Sequence, residues 1–235
     1  NKKARAAKAE AGAGASGAGK GEASNGIHKR EMSAQTKREI MTLINMLLER
    51  CSITFEKGAK EWKDFVLVYT LLEQVRKKQE GFSLQKPDRE KNFDAFMNWL
   101  KEEGVETDAV SIEKFEQEGH GLKANRMIPV NDVFLCVPRK VMMTTETAAN
   151  SEIGDLIKED RILQQMKNVC LALHLLCEKK KPDSKWKHYI DILPDTYTTP
   201  LYFSAVELQC MRGSPAMSEM LNQQRNIIRQ YAYFY

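Results

Sequence analysis

The chain has no run of apolar residues approaching the roughly 20 that span a bilayer, and its N-terminus shows no apolar core of a secretory leader. A membrane role is set aside on that ground. The five cysteines, Cys51, Cys136, Cys170, Cys177 and Cys210, include no CxxC pair. An odd count without paired spacing argues for free thiols in a reducing compartment. The expected location is cytoplasmic, with the nucleus as an alternative. No GK[ST] loop is present, which excludes a P-loop. The lone GxG at Gly119–Gly121 lacks the third glycine and following helix of a dinucleotide fingerprint. Regular βαβ alternation is also missing, so a doubly wound parallel sheet is not expected.

The formal net charge is +4. It hints at nucleic acid until it is located. Residues 1–31 carry seven basic and three acidic side chains, which accounts for the whole excess. The rest is near neutral and has no basic–aromatic patch, so nucleic-acid binding ranks behind other readings. The basic stretch 1–32 is Ala/Gly/Lys-rich and too poor in large apolar residues to offset ordering entropy. It reads as a disordered tail or a weak basic arm.

From Met32 the pattern turns helical. Thr36 with Glu39 reads as a capping box, followed by Ile40, Leu43, Ile44, Leu47 and Leu48 at helical spacing. A second helix is expected over about 61–78, with Trp62, Phe65, Tyr69 and Leu72 on one face. A third follows Pro87, with Phe93, Phe96, Met97 and Leu100 on one face and Gly104 as its stop. Then the period shortens. Val110, Ile112 and Phe115 suggest a strand, and 121–128 a second. A turn falls at 130–133, a third strand at 133–138, and a fourth at 140–144. Helices resume from about Thr144, including 160–178, 184–193 and 214–235.

Cys170, His174 and Cys177 share one helical face. That is a ligand-like spacing, but it sits in an apolar helix and lacks a fourth ligand. Core thiols and a core histidine are the expected reading, and no metal site is expected.

The stretch "FEQEGHGLKA" poses the sharper question. Glycine packs nothing in a strand, so two glycines around His120 mark either a tight bend or a place where a ligand approaches the backbone. Glu118 beside them could pair with a cationic group of that ligand.

The surrounding words bear on the choice. "GHGLKA" followed by "PVNDVFLCVPRKVMMT" resembles the opening of a SET domain, the protein methyltransferase fold. "SKWKHYIDILPDTYTTPLYFSAVELQCMRGS" resembles the helical insert of the subclass typified by the Rubisco large-subunit lysine methyltransferase. The nearer likeness is to the actin-histidine N-methyltransferase family of animals. It runs through "LLERC", "KEW", "DREKNF", "VPRKVMMTTETAANS" and "DRILQQMKNVCLALHLLCE" to "RQYAYFY".

This resemblance implies an α+β fold: an incomplete SET domain with a short β segment, N-terminal helices and a helical insert. It implies helices over 33–107 and the first part of the SET domain over 108–235. It also implies S-adenosylmethionine as methyl donor and a histidine of actin as acceptor, with the chain a monomer. Carried over residue by residue, the donor-contacting positions are Arg89, Glu118, Gly119 and His120. His120 departs from the Phe that the family carries there. The family's Asn-His motif and catalytic tyrosine have no counterpart: no Asn-His dipeptide occurs, and Tyr231, Tyr233 and Tyr235 read as packing residues. No catalytic residue is therefore assigned. The chain reads as the N-terminal part of an enzyme, inactive by itself. A protein-lysine methyltransferase of the same subclass and a non-enzymatic actin- or protein-binding module remain the alternatives.

Overall fold

Helix α1 (Ala34–Ser52) starts one turn earlier than expected. Its N-cap is Ser33, whose Oγ accepts from Thr36 N at 3.1 Å. Thr36 is thus inside the first turn, and Glu39 pairs with Lys78 of the next helix at 2.5 Å. Two hydroxyls three residues apart can both cap, and the earlier one prevails because it adds a turn. The computed structural model describes residues 31–53, 59–82 and 87–235. The expected tail, 1–32, lies outside the described residues except at its last two positions.

Helix α2 (Ala59–Gln79) packs on α1, and both meet α10 (Ala216–Phe234). Ile40, Ile44 and Leu47 of α1 lock against Val68, Leu71 and Val75 of α2 and Ile228 of α10. Full burial of each such side chain contributes about 1.5–3 kcal/mol. The other face of α2 carries Trp62, Phe65 and Tyr69. It packs against Met217, Met220 and Leu221 of α10 and Leu208 of α9 (Ala205–Cys210).

A single 3-10 turn, Glu90–Asn92, leads into α3 (Phe93–Glu102), and Gly104 ends that helix at φ +82°. The chain then forms an antiparallel hairpin of β1 (Val110–Phe115) and β2 (Gly119–Ala124), with Phe115 opposite Gly119 and Lys114 opposite His120. The expected third and fourth strands do not form. Residues 133–138 make only an isolated bridge, Glu106 to Cys136, and Arg139–Val141 is a 3-10 turn started by Pro138. A short apolar run suits a strand, but a strand needs a ladder partner, and none runs alongside among the described residues.

The helical region from Thr144 is more broken than its pattern suggests. Short helices α4 (Thr145–Ala149), α5 (Gly154–Glu159) and α6 (Arg161–Gln165) precede α7 (Lys167–Lys180) and α8 (Lys187–Asp191). The expected helix over 160–178 is split at Met166, whose φ of −100° and ψ of 75° leave the helical region. Cys170 and His174 are buried in the resulting core with Ala148 and Ile153 nearby. Trp186 stands edge-on to His174 at 5.3 Å and donates its indole N–H to the Val141 carbonyl at 3.0 Å. Among the described residues, no group of three or more His, Cys, Asp or Glu could hold a metal, and no helix is long and apolar enough to cross a membrane.

Candidate functional site

The turn between β1 and β2 has three residues, 116–118, and leaves through Gly119 at φ +77°. That left-handed conformation disfavours any residue with a Cβ. A Cβ there would meet nothing within 4 Å, so open space lies beside the turn. Gly121 differs: its Cβ would come within 3.2 Å of the Phe115 ring. The two glycines thus serve two needs, one conformational and one of close approach.

The hairpin sets His120 against the start of α3. The imidazole lies 4.9 Å from the Phe93 ring, and the Arg89 guanidinium sits 5.3 Å from the centroid of that same ring. Glu90 completes the group. Its carboxylate accepts from Lys114 Nζ at 2.8 Å and lies 3.4 Å from His120 Nε2. The hydrogen bond from Lys114, reinforced by its charge and by His120, holds the Glu90 carboxyl below the usual carboxylate range.

Arg89 carries the clearest sign of a missing partner. Its Nε is buried and makes no hydrogen bond. An unpaired buried donor on a cation is costly. An anionic group within hydrogen-bond reach of that nitrogen would relieve it. These residues fit a ligand with an anionic group, a cationic group and a flat apolar face.

Two of the four expected positions meet: Arg89 and His120 share the Phe93 ring, while Gly119, next to His120 in the chain, shapes the turn that presents it. Glu118 stands exposed in the turn, outside the ring cluster. Glu90, Phe93 and Lys114 were not expected at the site. Phe93 reads from sequence as a core residue of α3. Only the cross-strand register, which places Lys114 beside His120, brings Glu90 into play.

An apolar cleft of about 540 Å³ lies on another face of α3, lined by Phe96, Leu100, Val110, Leu122, Val141 and Tyr189. Tyr231, one of the three C-terminal tyrosines, hydrogen-bonds Gln79 of α2 at 2.9 Å.

The fold formed by the described residues is part of a SET domain. The solved SET domain of LSMT bound to lysine and AdoHcy matches 63% of this chain and 33% of that one, with a TM-score of 0.56 and 31% identity. Rubisco LSMT bound to AdoMet matches with a TM-score of 0.52 and 33% identity over 58% of this chain and 31% of that one.

In sequence, the chain is 44% identical over 204 residues to the actin-histidine N-methyltransferase of Gallus gallus, and 45% over 204 residues to that of Danio rerio. The Homo sapiens protein of the same name is 44% identical over 199 residues. No family model matches the chain. These alignments take in 84–86% of this chain, which spans about a third (34%) of the length of those relatives. The resemblance to the actin-histidine N-methyltransferases, and to their SET-domain subclass, is borne out in both sequence and fold.

Proposed function

We propose that the chain forms the donor-binding part of an S-adenosylmethionine-dependent protein-histidine N-methyltransferase whose substrate is actin. The observation that carries this is the Arg89–Phe93–His120 cluster beside a left-handed glycine turn, in a chain 44% identical to proteins of that name. Arg89 holds the donor's carboxylate. The backbone of Gly119 and His120 lies against the donor, and Glu118 pairs with its ammonium. The division into a tail at 1–32, helices at 33–107 and SET residues at 108–235 is part of the same reading, as are a monomeric state and a cytoplasmic or nuclear location.

The chemistry suits such a division of labour. A sulfonium donor is already activated, so the protein's task is to bind and orient it and to exclude water. A histidine acceptor attacks through a neutral ring nitrogen available near pH 7. A lysine acceptor must first lose a proton, with a reference pKa of about 10.4.

Calorimetry with S-adenosylmethionine on the chain tests donor binding, and loss of that binding in Arg89→Ala is the expected result. Methyl transfer to actin, read by mass in a protein carrying this sequence, tests the acceptor. The chain alone is expected to be inactive, and robust turnover by it would refute that part. A lysine acceptor is the second reading, favoured by the solved LSMT structure that holds lysine; methylation of lysine and not histidine would select it. The exposed apolar residues Met127, Val130 and Val133 favour a non-enzymatic interaction module, which gains if no donor binds.

A further inference from the structure

We propose that Phe93 is a positioning residue of the donor site: its ring holds the Arg89 guanidinium, with Nε unpaired, in place for a ligand carboxylate. The inference rests on the donor reading above and deepens it.

The local sequence builds the pair. Arg89 and Phe93 are four residues apart, joined by the 3-10 turn Glu90–Asn92. Both have helical backbone angles, φ −55° and ψ −44° at Arg89, φ −62° and ψ −42° at Phe93. Side chains four apart on such a backbone are neighbours, and an aromatic ring there leans toward the preceding turn. The guanidinium carbon accordingly lies 5.3 Å from the Phe93 centroid.

The surroundings leave the cation unsatisfied. Two carboxylates flank Arg89 in the chain, and a lysine engages each. Asp88 is paired with Lys91 at 2.8 Å, and Glu90 with Lys114 at 2.8 Å. Arg89 Nε is buried without a hydrogen bond. A cation over a partly exposed ring gains less than an unpaired buried donor costs. The stack therefore does not satisfy Arg89; it fixes where the guanidinium waits. The hairpin buttresses the ring in turn, with the His120 imidazole 4.9 Å from it.

Phe93 has little other packing duty. It is half-buried, and among the described residues it stands outside the buried clusters that join α1, α2, α9 and α10 and that surround Cys170. Phe96 and Leu100, not Phe93, line the apolar cleft on another face of α3. A loose arginine must be immobilised when an anion binds, whereas a stacked one is already fixed. Loss of the ring should weaken carboxylate binding about three- to tenfold, the usual penalty for immobilising one long side chain.

Calorimetry of the chain with S-adenosylmethionine and with decarboxylated S-adenosylmethionine, which lacks only the carboxylate, tests this. The parent should bind the first more tightly. Phe93→Leu should weaken the first about three- to tenfold and leave the second unchanged. Phe93→Tyr, which keeps the ring, should bind both as the parent does. In an Arg89→Ala background Phe93→Leu should have no further effect. Phe93→Met gives the same comparison if Phe93→Leu does not fold, because the two ligands are compared within one protein. If Phe93→Leu leaves donor affinity unchanged, weakens both ligands alike, or acts equally without Arg89, the positioning role is overturned while the donor site stands. If the parent binds the two ligands equally, or binds neither, the reading of Arg89 as the carboxylate's partner fails, and the proposal with it.

Discussion

Arg225 of α10 reaches Ile53, the residue that ends α1, donating from Nη2 to its carbonyl at 2.7 Å; Nε donates to the Cys51 carbonyl at 3.2 Å. The last carbonyls of a helix have no partner within it, and a cation there also meets the negative end of the helix dipole. One half-buried side chain thus ties the final helix to the end of the first. Arg225→Ala is expected to cost about 1–3 kcal/mol, with Arg225→Lys retaining part of that. Thermal melts followed by circular dichroism should show a fall of about 2–4 °C per kcal/mol. An unchanged melt for Arg225→Ala would mean water replaces the clamp at no cost.

His174 makes the fold acid-sensitive. It is 1% exposed and neither ring nitrogen has a hydrogen-bond partner. Burial holds its protonation below the usual histidine range; Glu178 pulls the other way, and Lys181 and Lys185 add to the effect of burial. A histidine depressed in the folded state binds fewer protons there than in the unfolded chain. Stability is therefore flat above about pH 6.5 and falls as pH drops from there toward the folded value. Burial raises the Glu178 carboxyl, but hydrogen bonds from Lys181 and Ser184, each 2.7 Å, outweigh it and leave it below its usual range. Its contribution is lost at lower pH still. His174→Leu should melt at or above the parent at pH 7 and lose less between pH 7 and 5.5. Equal slopes in the two proteins would show that His174 is not the titrating group.

Three glycines should rank by what their added methyl meets. At Gly154, buried at the start of α5, a Cβ would run into the Ala149 carbonyl oxygen, which is backbone and cannot step aside. Gly154→Ala should therefore cost most, about 2–3 kcal/mol or more. Gly119→Ala meets no atom and suffers only the left-handed backbone, for about 1–2 kcal/mol; Gly119→Asn should cost less. Gly121→Ala presses the Phe115 ring, which is exposed and can turn, so it should cost least. Urea midpoints of the four proteins give the order directly.

Cys51 should be the slow thiol. Burial pushes it up to about 11 despite the opposing charges of Arg225 and Arg229. The thiolate is the reactive form, so iodoacetamide at pH 7.5 is expected to label exposed Cys136 and Cys210 and spare Cys51. Early labelling of Cys51 would report opening of α1 from α2 and α10.

What the sequence shows of this fold is what local pattern controls. Ile40, Leu43, Ile44 and Leu47 at helical spacing are the buried face of α1, and Gly104 and Gly119 take the left-handed conformations their positions suggest. The failures are non-local. Residues 133–138 form an apolar, strand-like run, yet a strand exists only where a neighbour supplies its ladder. The break at Met166 has no glycine or proline to announce it; Asp160, whose carboxylate caps Ile162 and Leu163, nucleates a separate short helix there. At the site, Gly119 and His120 are legible because the turn is local. The Phe93–His120 contact and the Glu90–Lys114 bond are not, because each joins α3 or the turn before it to a hairpin strand about 25 residues on.

Arg89 offers the sharpest separation of function from structure. A structural arginine usually loses hydrogen bonds and packing together when removed, so its loss destabilises. Here Nε has no partner to lose, and the guanidinium's visible contact is the Phe93 ring, worth about 0.5–1 kcal/mol at a partly exposed site. Relief of a buried, unpaired donor offsets part of that. Arg89→Ala should therefore leave the melting temperature within a few degrees of the parent. Its charge-assisted bonds to a carboxylate would be worth about 1.5–3 kcal/mol, so donor affinity should fall roughly 10- to 100-fold. Arg89→Lys keeps the charge but not the planar stack, and should sit between. A variant that melts many degrees lower yet binds S-adenosylmethionine as the parent does would make Arg89 a structural residue and leave the cluster without its anion-binding group.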